Sequence, residues 1–473
     1  MISEKQKHLL VSIAAVWLAV TPPATAASAT TLSTNLLSPP GSGDATKPGF
    51  TARVNQIDLP IGASDLVSLI SRAEQQLAGI VATNSADLSK ATNGVFIAPG
   101  IINWNEDVGP GGAGFEIGNF TSTSDPSRPD EPVPGIPGLG PNGLVNGGDN
   151  FAVELITYVE FKTPGLYTMG VNSDEGFKVT ATDQAPTQNG ALFVTGGSAA
   201  GSYYAVSGDT NAGGISRPIT TPISGKVVYA QPPNGCGGIT NTAEIRGNIA
   251  LIDRGSCMFT DKILNAIAVG AKAVIVVNNR DADDPESPYP FLMTGAPADL
   301  PAVMISKPDG ARIKTALAGG TTVNVTLTDD NEPRLGEFNG VRTASDTVFS
   351  FTVPVAGVYP FRAVWFEDSG TSSFEWFSVR EDGAKIPLND PENPDALKTF
   401  RARTGAPVQP SHLTIARNLD GGITITWDHS GKLQEATDLA NVGTVWTDSP
   451  NGGASPVTVG TTGPAKFYRV LAQ

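Results

Sequence analysis

Two pairs of adjacent acidic residues carry the groups in this sequence that are best suited to chemistry. Asp174 and Glu175 form one pair, and Glu367 and Asp368 form the other. A glycosidase needs only two carboxyl groups at the right separation, and carboxylate oxygens are also the ligands that Ca²⁺ prefers. Acidic residues in the loops of an acidic protein are usually solvated, so neither pair is predicted to be catalytic.

Side chains for other kinds of catalysis are scarce. The 473 residues include three histidines, His8, His412 and His429, and no H-E-x-x-H, C-x-x-C, G-x-S-x-G or P-loop motif. Asp428, His429 and Ser430 have the residue types of a catalytic triad. Because consecutive residues of a strand point to opposite faces, these three cannot form a relay. We therefore predict no catalytic residues.

The composition is that of an acidic chain with many turns. A formal net charge of −15 repels nucleic acid and anionic membranes, so neither is predicted as a partner, whereas a cationic or neutral polymer is not excluded. The 53 glycines, 37 prolines and only 16% of charged residues favour short strands over long helices. The length allows roughly two to four domains.

The amino-terminal residues predict export. Lys5 and Lys7 precede an apolar run from Leu9 to Val20, and small residues follow up to Ala26. This is the pattern of a secretory signal peptide, residues 1–26. A membrane anchor would need about 20 apolar residues, and no later stretch is long enough to span a bilayer. A secreted or cell-surface location is expected.

The two cysteines, Cys236 and Cys257, lie 21 positions apart in this exported chain. A disulfide between them is the default expectation, and closing that loop would contribute about 3 kcal/mol to stability. Two free thiols are the alternative.

The elements that position these groups are mostly short strands. Residues 27–49 have the composition of a flexible leader. A strand from Phe50 to Ile57 is expected next, and then a helix with an apolar stripe, capped by Ser64 and ended by Gly79. Its stripe consists of Leu66, Ile70, Ala73 and Leu77. Alternating β segments follow up to Thr180 and return after Leu335.

One segment in the middle of the chain has a different pattern. Apolar strands at Asn248 to Ile252 and Ala273 to Val277 flank a helix from Phe259 to Val269, which Gly270 ends. This unit predicts two parallel strands with a right-handed connection. Between the first strand and the helix, Asp253 to Cys257 has a single glycine where a phosphate cradle would need several exposed backbone amides, which counts against a nucleotide site.

The segment "GNIALIDRGSCMFTDKILNAIAVGAKAVIVVNN", followed by "LPAVMISKPDGARIKTAL", resembles the protease-associated (PA) domain. The family's R-G-x-C-x-F run, K-x-x-N-A helix, A-x-A-V-I-V-x-N strand and P-A-V-x-I-S strand all occur here in order. The resemblance covers about residues 215–330. It implies a small α/β module that is not catalytic and that gates or binds protein or peptide ligands. Cys257 matches the family's cysteine, which supports its pairing with Cys236.

The regions before and after this insertion resemble the two parts of one PA14-type β-sandwich. The family's S-D-D-G turn occurs here as Ser173-Asp174-Glu175-Gly176. In lectin-like members the acidic pair of this turn is a calcium site that presents sugar hydroxyls. The resemblance therefore implies that Asp174 and Glu175 bind Ca²⁺, with Glu175 in place of the usual second aspartate; a turn without metal is the alternative. Trp365 and Trp376 could stack on sugars, but core packing is favoured for both.

The predicted fold is thus mainly β and multi-domain. A β-sandwich host, residues 50–182 and 335–403, is split by an insertion at 183–334 that contains the α/β PA domain, and a small C-terminal β-sandwich-like module occupies 404–473. The predicted function is that of an exported, non-catalytic protein that binds carbohydrate or protein ligands. The alternative is an accessory or degenerate member of a secreted hydrolase system, peptidase or glycosidase.

Overall fold

The structure is a computed structural model that describes residues 29–59, 65–109, 114–138, 148–281, 289–329 and 332–404, together with strand segments between 413 and 472. The predicted signal peptide, the predicted helix cap Ser64, and the histidines His412 and His429 lie outside the described residues. Within the described part of the chain, every helix is too short or too polar to cross a membrane.

The chain before the insertion supplies strands of both sandwich sheets and one helix. The elements are β1 (Thr30–Thr31), β2 (Phe50–Gln56), α1 (Ile70–Leu77), β3 (Phe96–Ala98), β4 (Asn103–Asn105), β5 (Phe151–Phe161), β6 (Gly165–Asp174) and β7 (Phe177–Thr180).

Helix α1 is shorter than the sequence predicts. Leu66 is buried but lies before the helix, because its backbone amide donates to the side-chain oxygen of Asn150 at 2.8 Å and holds this segment extended. The helix ends as predicted, with Gly79 at a φ of 72°. Ile70, Ala73 and Leu77 pack on Val364 and Phe366 of the sandwich and on Ala152.

The insertion forms one eight-stranded sheet with helices on its faces. Its elements are β8 (Leu192–Thr195), β9 (Gly201–Tyr203), β10 (Ala205–Ser207), β11 (Ile223–Tyr229), α2 (Thr242–Ile245), β12 (Ile249–Asp253), α3 (Phe259–Ala268), β13 (Ala273–Val277), β14 (Ala302–Ile305), α4 (Lys307–Ala318) and β15 (Asn324–Leu327). The strand order is β10-β14-β13-β12-β11-β15-β8-β9, and β11 to β14 run parallel. The predicted strand, helix and strand are therefore confirmed.

Both faces of the central strands β12 to β14 are buried, which explains why these strands are continuously apolar. Ile249 and Leu251 belong to one core with Ile313 of α4, while Ala250 and Ile252 belong to another core that includes Ile263 of α3. Sheets of parallel strands covered on both sides require this composition.

The chain after the insertion completes the sandwich. It contributes β16 (Arg334–Phe338), β17 (Ser345–Val353), β18 (Gly357–Glu367), β19 (Ser373–Val379), β20 (Lys385–Pro387) and β21 (Thr399–Phe400). One sheet has the order β1-β17-β6-β19-β20 with β4 on β19, and the other has the order β16-β7-β18-β5-β2-β3 with β21 on β5. Trp365 and Trp376 are fully buried in the core between them, so neither is exposed for stacking on a sugar.

The insertion leaves and re-enters the sandwich at neighbouring positions. Thr180, the last residue of β7, lies opposite Arg334, the first residue of β16, in an antiparallel pair. The two strands therefore form a hairpin whose connection is the whole inserted unit.

The structure differs from the flexible leader predicted for residues 27–49. Thr30 pairs with Phe351 at the edge of the sandwich, and Ser38 bridges to Val358. Leu32 and Leu37 are buried in the core. Two leucines and an open sheet edge order a segment whose overall composition is that of a linker.

The described strands of the C-terminal module are β22 (Leu413–Arg417), β23 (Ile423–Trp427), β24 (Gly431–Ala436), β25 (Thr447–Asp448), β26 (Val457–Val459) and β27 (Phe467–Ala472). They form two three-stranded sheets, β22-β23-β26 and β25-β24-β27. Among the described residues, Ile425, Trp427, Leu433 and Val457 form a buried apolar cluster.

Candidate functional site

The two acidic pairs of the sequence meet at one end of the sandwich. The first lies in the turn from β6 to β7, and the second lies where β18 ends. Glu175, Glu367 and Asp368 each place a carboxylate oxygen within 4.8 Å of the other two. Further carboxyl groups interact electrostatically with these three. The acidic cluster is defined here as Glu106, Asp149, Asp174, Glu175, Glu367 and Asp368.

The turn from β6 to β7 holds Glu175 in an unusual backbone conformation. Glu175 has a φ of 41°, in the left-handed region that costs a side-chain-bearing residue about 1 kcal/mol. Gly176 follows it, and a Cβ there would lie 2.4 Å from Phe366 and 2.7 Å from the carbonyl oxygen of Phe338. Only glycine fits beside these neighbours. Strain of this kind is concentrated at binding and catalytic sites.

Glu367 is the most deeply buried member of the cluster. Its side chain is fully inaccessible to solvent, and its Oε2 atom has no hydrogen-bond partner among the described residues. A buried carboxylate oxygen without a partner is costly unless a proton or a cation accompanies it. Glu106 has a second such oxygen, and the missing side chain of Gly148 makes room for it, since a Cβ there would lie 1.8 Å from that Oε2.

Burial also perturbs the acidity of the cluster. Desolvation, reinforced by neighbouring carboxylates, raises the pKa of Glu367 to about 11, that of Glu106 to about 9 and that of Glu175 to about 7. Two arginines lie close by. Arg72 donates to the backbone oxygen of Glu367 at 3.1 Å, and the backbone amide of Arg342 donates to Glu175 Oε2 at 3.2 Å. Six carboxyl groups thus outnumber the two guanidinium groups, so protons or a bound cation must offset the excess of negative charge.

Asp174 has a different role from its neighbour Glu175. Its carboxylate accepts hydrogen bonds from the amides of Glu175 and Ala344, both at 3.2 Å, and from the hydroxyl of Thr371 at 3.1 Å. These bonds connect the turn to two other loops. Of the two metal ligands predicted from the sequence, Glu175 therefore belongs to the group of three close carboxylates, and Asp174 lies beside it.

The sequence does not predict the other four residues of the cluster as ligands. Glu367 and Asp368 were visible as an acidic pair, but no local pattern places them next to Glu175. Glu106, in a short 3₁₀ turn after β4, and Asp149 carry no sequence signal of any kind.

The inserted unit contains the predicted disulfide. Cys236 and Cys257 are joined with an S–S distance of 2.00 Å and a Cα–Cα distance of 6.0 Å, so their predicted pairing is confirmed. The buried ammonium group of Lys262 donates to the carbonyl oxygens of Asn234 and Gly255 at 2.6 and 2.7 Å. Disulfide and lysine together fix two loops at one end of the sheet.

Comparison with known protein families decides what this unit is. A family profile described as the PA domain matches residues 223–313. Residues 223–313 form a PA domain. The match lies inside the region predicted from the sequence, and it corresponds to the strands and helices from β11 to α4.

Segments of this chain are similar to segments of several larger proteins. The chain is 32% identical over 119 residues to ER degradation-enhancing alpha-mannosidase-like protein 3 of Homo sapiens, which spans 24% of this chain and 13% of that protein. It is 33% identical over 115 residues to vacuolar-sorting receptor 1 of Pisum sativum, or 22% of this chain and 18% of the receptor. It is 44% identical over 69 residues to aminopeptidase YwaD of Bacillus subtilis, or 15% of this chain and 14% of the enzyme.

The chain thus spans less than a fifth of the length of each of these relatives. Among solved structures it is similar to an aminopeptidase from Aneurinibacillus sp. strain AM-1, with 23% identity, a TM-score of 0.21 and coverage of 39% of this chain and 37% of that one.

Proposed function

We propose that this protein is an exported, non-catalytic binding protein whose sandwich holds Ca²⁺ at the acidic cluster and recognises an extracellular carbohydrate or protein. The observation that carries the proposal is the unpartnered oxygen of Glu367. It is fully buried in a group of three carboxylates whose oxygens lie within 4.8 Å of one another.

The ligands of this group are all carboxylate oxygens within 4.8 Å of one another, which is compatible with calcium. Ca²⁺ binds oxygen at about 2.3 to 2.6 Å, so two of its ligands lie up to about 5 Å apart. Mg²⁺ binds at about 2.1 Å and needs a tighter octahedral arrangement, while Zn²⁺ favours nitrogen and sulfur ligands. Glu175, Glu367 and Asp368 would hold the ion, which would supply the positive charge that the cluster lacks and fix the turn from β6 to β7 against the end of β18.

Export and a binding role are supported by the PA domain and its disulfide. Disulfides persist in oxidising compartments, and the relatives include a protein named for the endoplasmic reticulum and a vacuolar-sorting receptor. A receptor among them favours a protein ligand for the PA domain. The sandwich, with its calcium-organised loops, is the proposed site for carbohydrate.

The calcium site is tested by isothermal titration calorimetry on residues 27–473. We expect one Ca²⁺ site per chain and weaker binding of Mg²⁺. Glu367→Gln should lower the Ca²⁺ affinity at least 10-fold, because the amide keeps the shape but loses the charge. Glu381→Gln, at an exposed loop position, is the matched control and should leave it unchanged. Equal Ca²⁺ affinity in both variants, or no heat and no thermal stabilisation by millimolar Ca²⁺, would refute the site.

The ligand is sought with a glycan array, run once with Ca²⁺ and once with a chelator. Glycan binding that disappears with the chelator and in Glu367→Gln would support recognition through the sandwich. A silent array from a protein that binds Ca²⁺ would leave protein ligands as the class to pursue.

The non-catalytic part of the proposal has its own test, which the similarity to an aminopeptidase makes necessary. Aminoacyl p-nitroanilides and p-nitrophenyl glycosides are incubated with the purified protein, and no turnover is expected. Hydrolysis that Glu367→Gln abolishes and Glu381→Gln preserves would make the cluster an active site and would favour the secreted-hydrolase alternative.

A further inference from the structure

A cleft of about 720 Å³ lies between the inserted unit and the sandwich. Leu69 and Ile70, at the start of α1, and Phe338, at the end of β16, line it from the sandwich. Ser207 and Ile219 line it from the insertion. The volume is in the range of about 300 to 1,000 Å³ that is typical of ligand sites, which often lie between domains. The residues of the acidic cluster are not part of its described lining.

The lining of the cleft carries an excess of negative charge. Its charged residues are Asp209, Asp329, Glu332, Glu337 and Arg334. Arg334, the only arginine among these lining residues, forms an ion pair with Glu337 of the same strand, β16. The carboxylate of Glu332 lies 3.3 Å from the ammonium group of the buried Lys178 and 3.9 Å from the guanidinium group of the buried Arg362. Asp209 and Asp329 line the cleft from the inserted unit, and Glu337 lines it from β16 of the sandwich. The cleft is therefore complementary to a cationic ligand.

One buried hydroxyl group in the cleft has no partner. The side chain of Ser207, in β10, is 8% exposed, and its Oγ makes no hydrogen bond with any described residue. Buried hydroxyl groups in proteins almost always have a partner. Ser207 is thus placed to bind a polar group of a molecule that enters the cleft.

The width of the cleft is fixed by a contact between the two units. The amide side chain of Gln75, in α1, accepts from the backbone amide of Ala205 at 3.0 Å and donates to its carbonyl oxygen at 2.9 Å. Beside it, Leu69, Tyr204 and Val206 form a small apolar cluster. These contacts hold β10, and with it Ser207, at a set distance from the start of α1.

We propose that this cleft binds a lysine- or arginine-bearing peptide segment of another protein. The carboxylates on both walls would bind the cationic side chains. The partly exposed ring of Phe338 would contact their aliphatic stems, and Ser207 would bind a peptide carbonyl. This inference goes beyond the calcium proposal and does not rest on it, since the two sites share no described residue.

The test is fluorescence anisotropy of the full chain with a labelled, end-capped hexapeptide of alternating lysine and alanine. A hexapeptide with glutamate in place of lysine is the ligand control. We expect saturable binding of the lysine peptide, weakened at least 10-fold by Asp209→Asn combined with Asp329→Asn. Asn211→Trp, which fills the cleft from an exposed position, should weaken it similarly.

The matched protein control combines Glu244→Gln with Asp261→Asn. It changes the net charge by the same amount at exposed positions of the inserted unit that do not line the cleft. This control should bind within twofold of the unmodified chain. Equal losses in both double variants would show attraction by net charge alone and would overturn the proposal.

Two other results would also overturn it. The first is an absence of saturable binding at millimolar peptide while circular dichroism shows a folded chain. The second is that spermidine binds as tightly as the peptide and that Asn211→Trp weakens its binding to the same extent. The occupant of the cleft would then be a small polyamine. Because the assay runs in the presence of a chelator, its outcome is independent of calcium.

Discussion

The PA-containing insertion and the sandwich that surrounds it bury polar groups in opposite ways. In the insertion, β12 to β14 are apolar on both faces, and the buried Lys262 is satisfied by backbone carbonyl oxygens. In the sandwich, Arg362 is fully buried and binds both Glu74 and Glu154 at 2.6 to 2.7 Å.

This difference in how polar groups are buried determines how much of each region can be recognised from its sequence. Strands with two buried faces leave a continuous apolar pattern that identifies a family from local sequence. Buried charges of the sandwich come from distant parts of the chain and acquire partners only in the folded state. The insertion should therefore depend most on packing and its disulfide, and the sandwich most on its charges.

The largest effect is expected from removing the charge at the centre of the sandwich. Arg362→Met removes a guanidinium group shared by the buried Glu74 and Glu154. The buried Glu74 then keeps Lys178, and Glu154 keeps the half-exposed Arg53. The free energy of unfolding of the sandwich should fall by about 4 kcal/mol. Arg53→Met removes a half-exposed partner of the same Glu154 and should cost less than about 1 kcal/mol. Urea denaturation measures the free energy of unfolding of both variants. Similar losses in the two variants would contradict the expected difference between a fully buried and a half-exposed arginine.

The disulfide should have the next largest effect, confined to the insertion. Replacing Cys236 and Cys257 by alanine opens a loop of 21 positions and should destabilise the inserted unit by about 3 kcal/mol. Hydrogen exchange should become faster in β12 and β13 and remain unchanged in β5 and β18. Faster exchange in both regions would mean that the two units unfold together.

The stability of the sandwich should depend on pH through Glu375. Its carboxylate is buried and accepts from the amide of Phe120 and the side chain of Asn119, each at 2.8 Å. Desolvation nevertheless raises its pKa from 4.5 to about 7. The neutral acid is favoured in the folded state, so this contribution is complete below pH 4.5 and is lost as the pH rises to 7.

The loss amounts to about 3 kcal/mol at most. Glu375→Gln should flatten the stability of the sandwich over this pH interval, as measured by urea denaturation at fixed pH values. An unchanged pH dependence in the variant would assign the titration to another group.

The smallest effect is expected at the contact between the two regions. Gln75→Ala removes two hydrogen bonds to Ala205 and should cost about 1 to 2 kcal/mol. Exchange should increase locally at β10, with little change in β12 or β18. Gln184→Ala, at an exposed position, is the control. If hydrogen exchange in β10 is as slow in Gln75→Ala as in the unmodified chain, the contact does not position the insertion.

Much of the fold follows from local sequence, but the candidate site does not. The PA domain was predicted because its strands, helix and cysteine recur at fixed spacing, and β17 to β19 were predicted from their alternation. The sequence predicts a start of α1 that is too early, since a hydrogen bond from the amide of Leu66 to the side-chain oxygen of Asn150 holds Leu66 in an extended segment. The order of residues 30–48 depends on a sheet edge formed more than 300 positions later.

The cluster illustrates the same limit at the level of chemistry. The sequence indicated Asp174 and Glu175 through a turn motif, and it showed Glu367 and Asp368 as a second acidic pair. The pairing of β7 with β18, in which Phe177 lies opposite Trp365, brings the two pairs together although they are far apart in the sequence. Tertiary contacts of this kind have no local signature, so the convergence of the two pairs required the structure.

The hairpin formed by β7 and β16 bears on how the insertion could have been acquired in evolution and how it could be replaced by engineering. Since Thr180 and Arg334 are neighbours, a module placed between them needs only two ends that lie close together. A gene segment encoding a compact module with adjacent ends could be exchanged at this position in one recombination event. The same position is an insertion site at which protein engineers could place a reporter or an affinity module, because the flanking strands would remain paired.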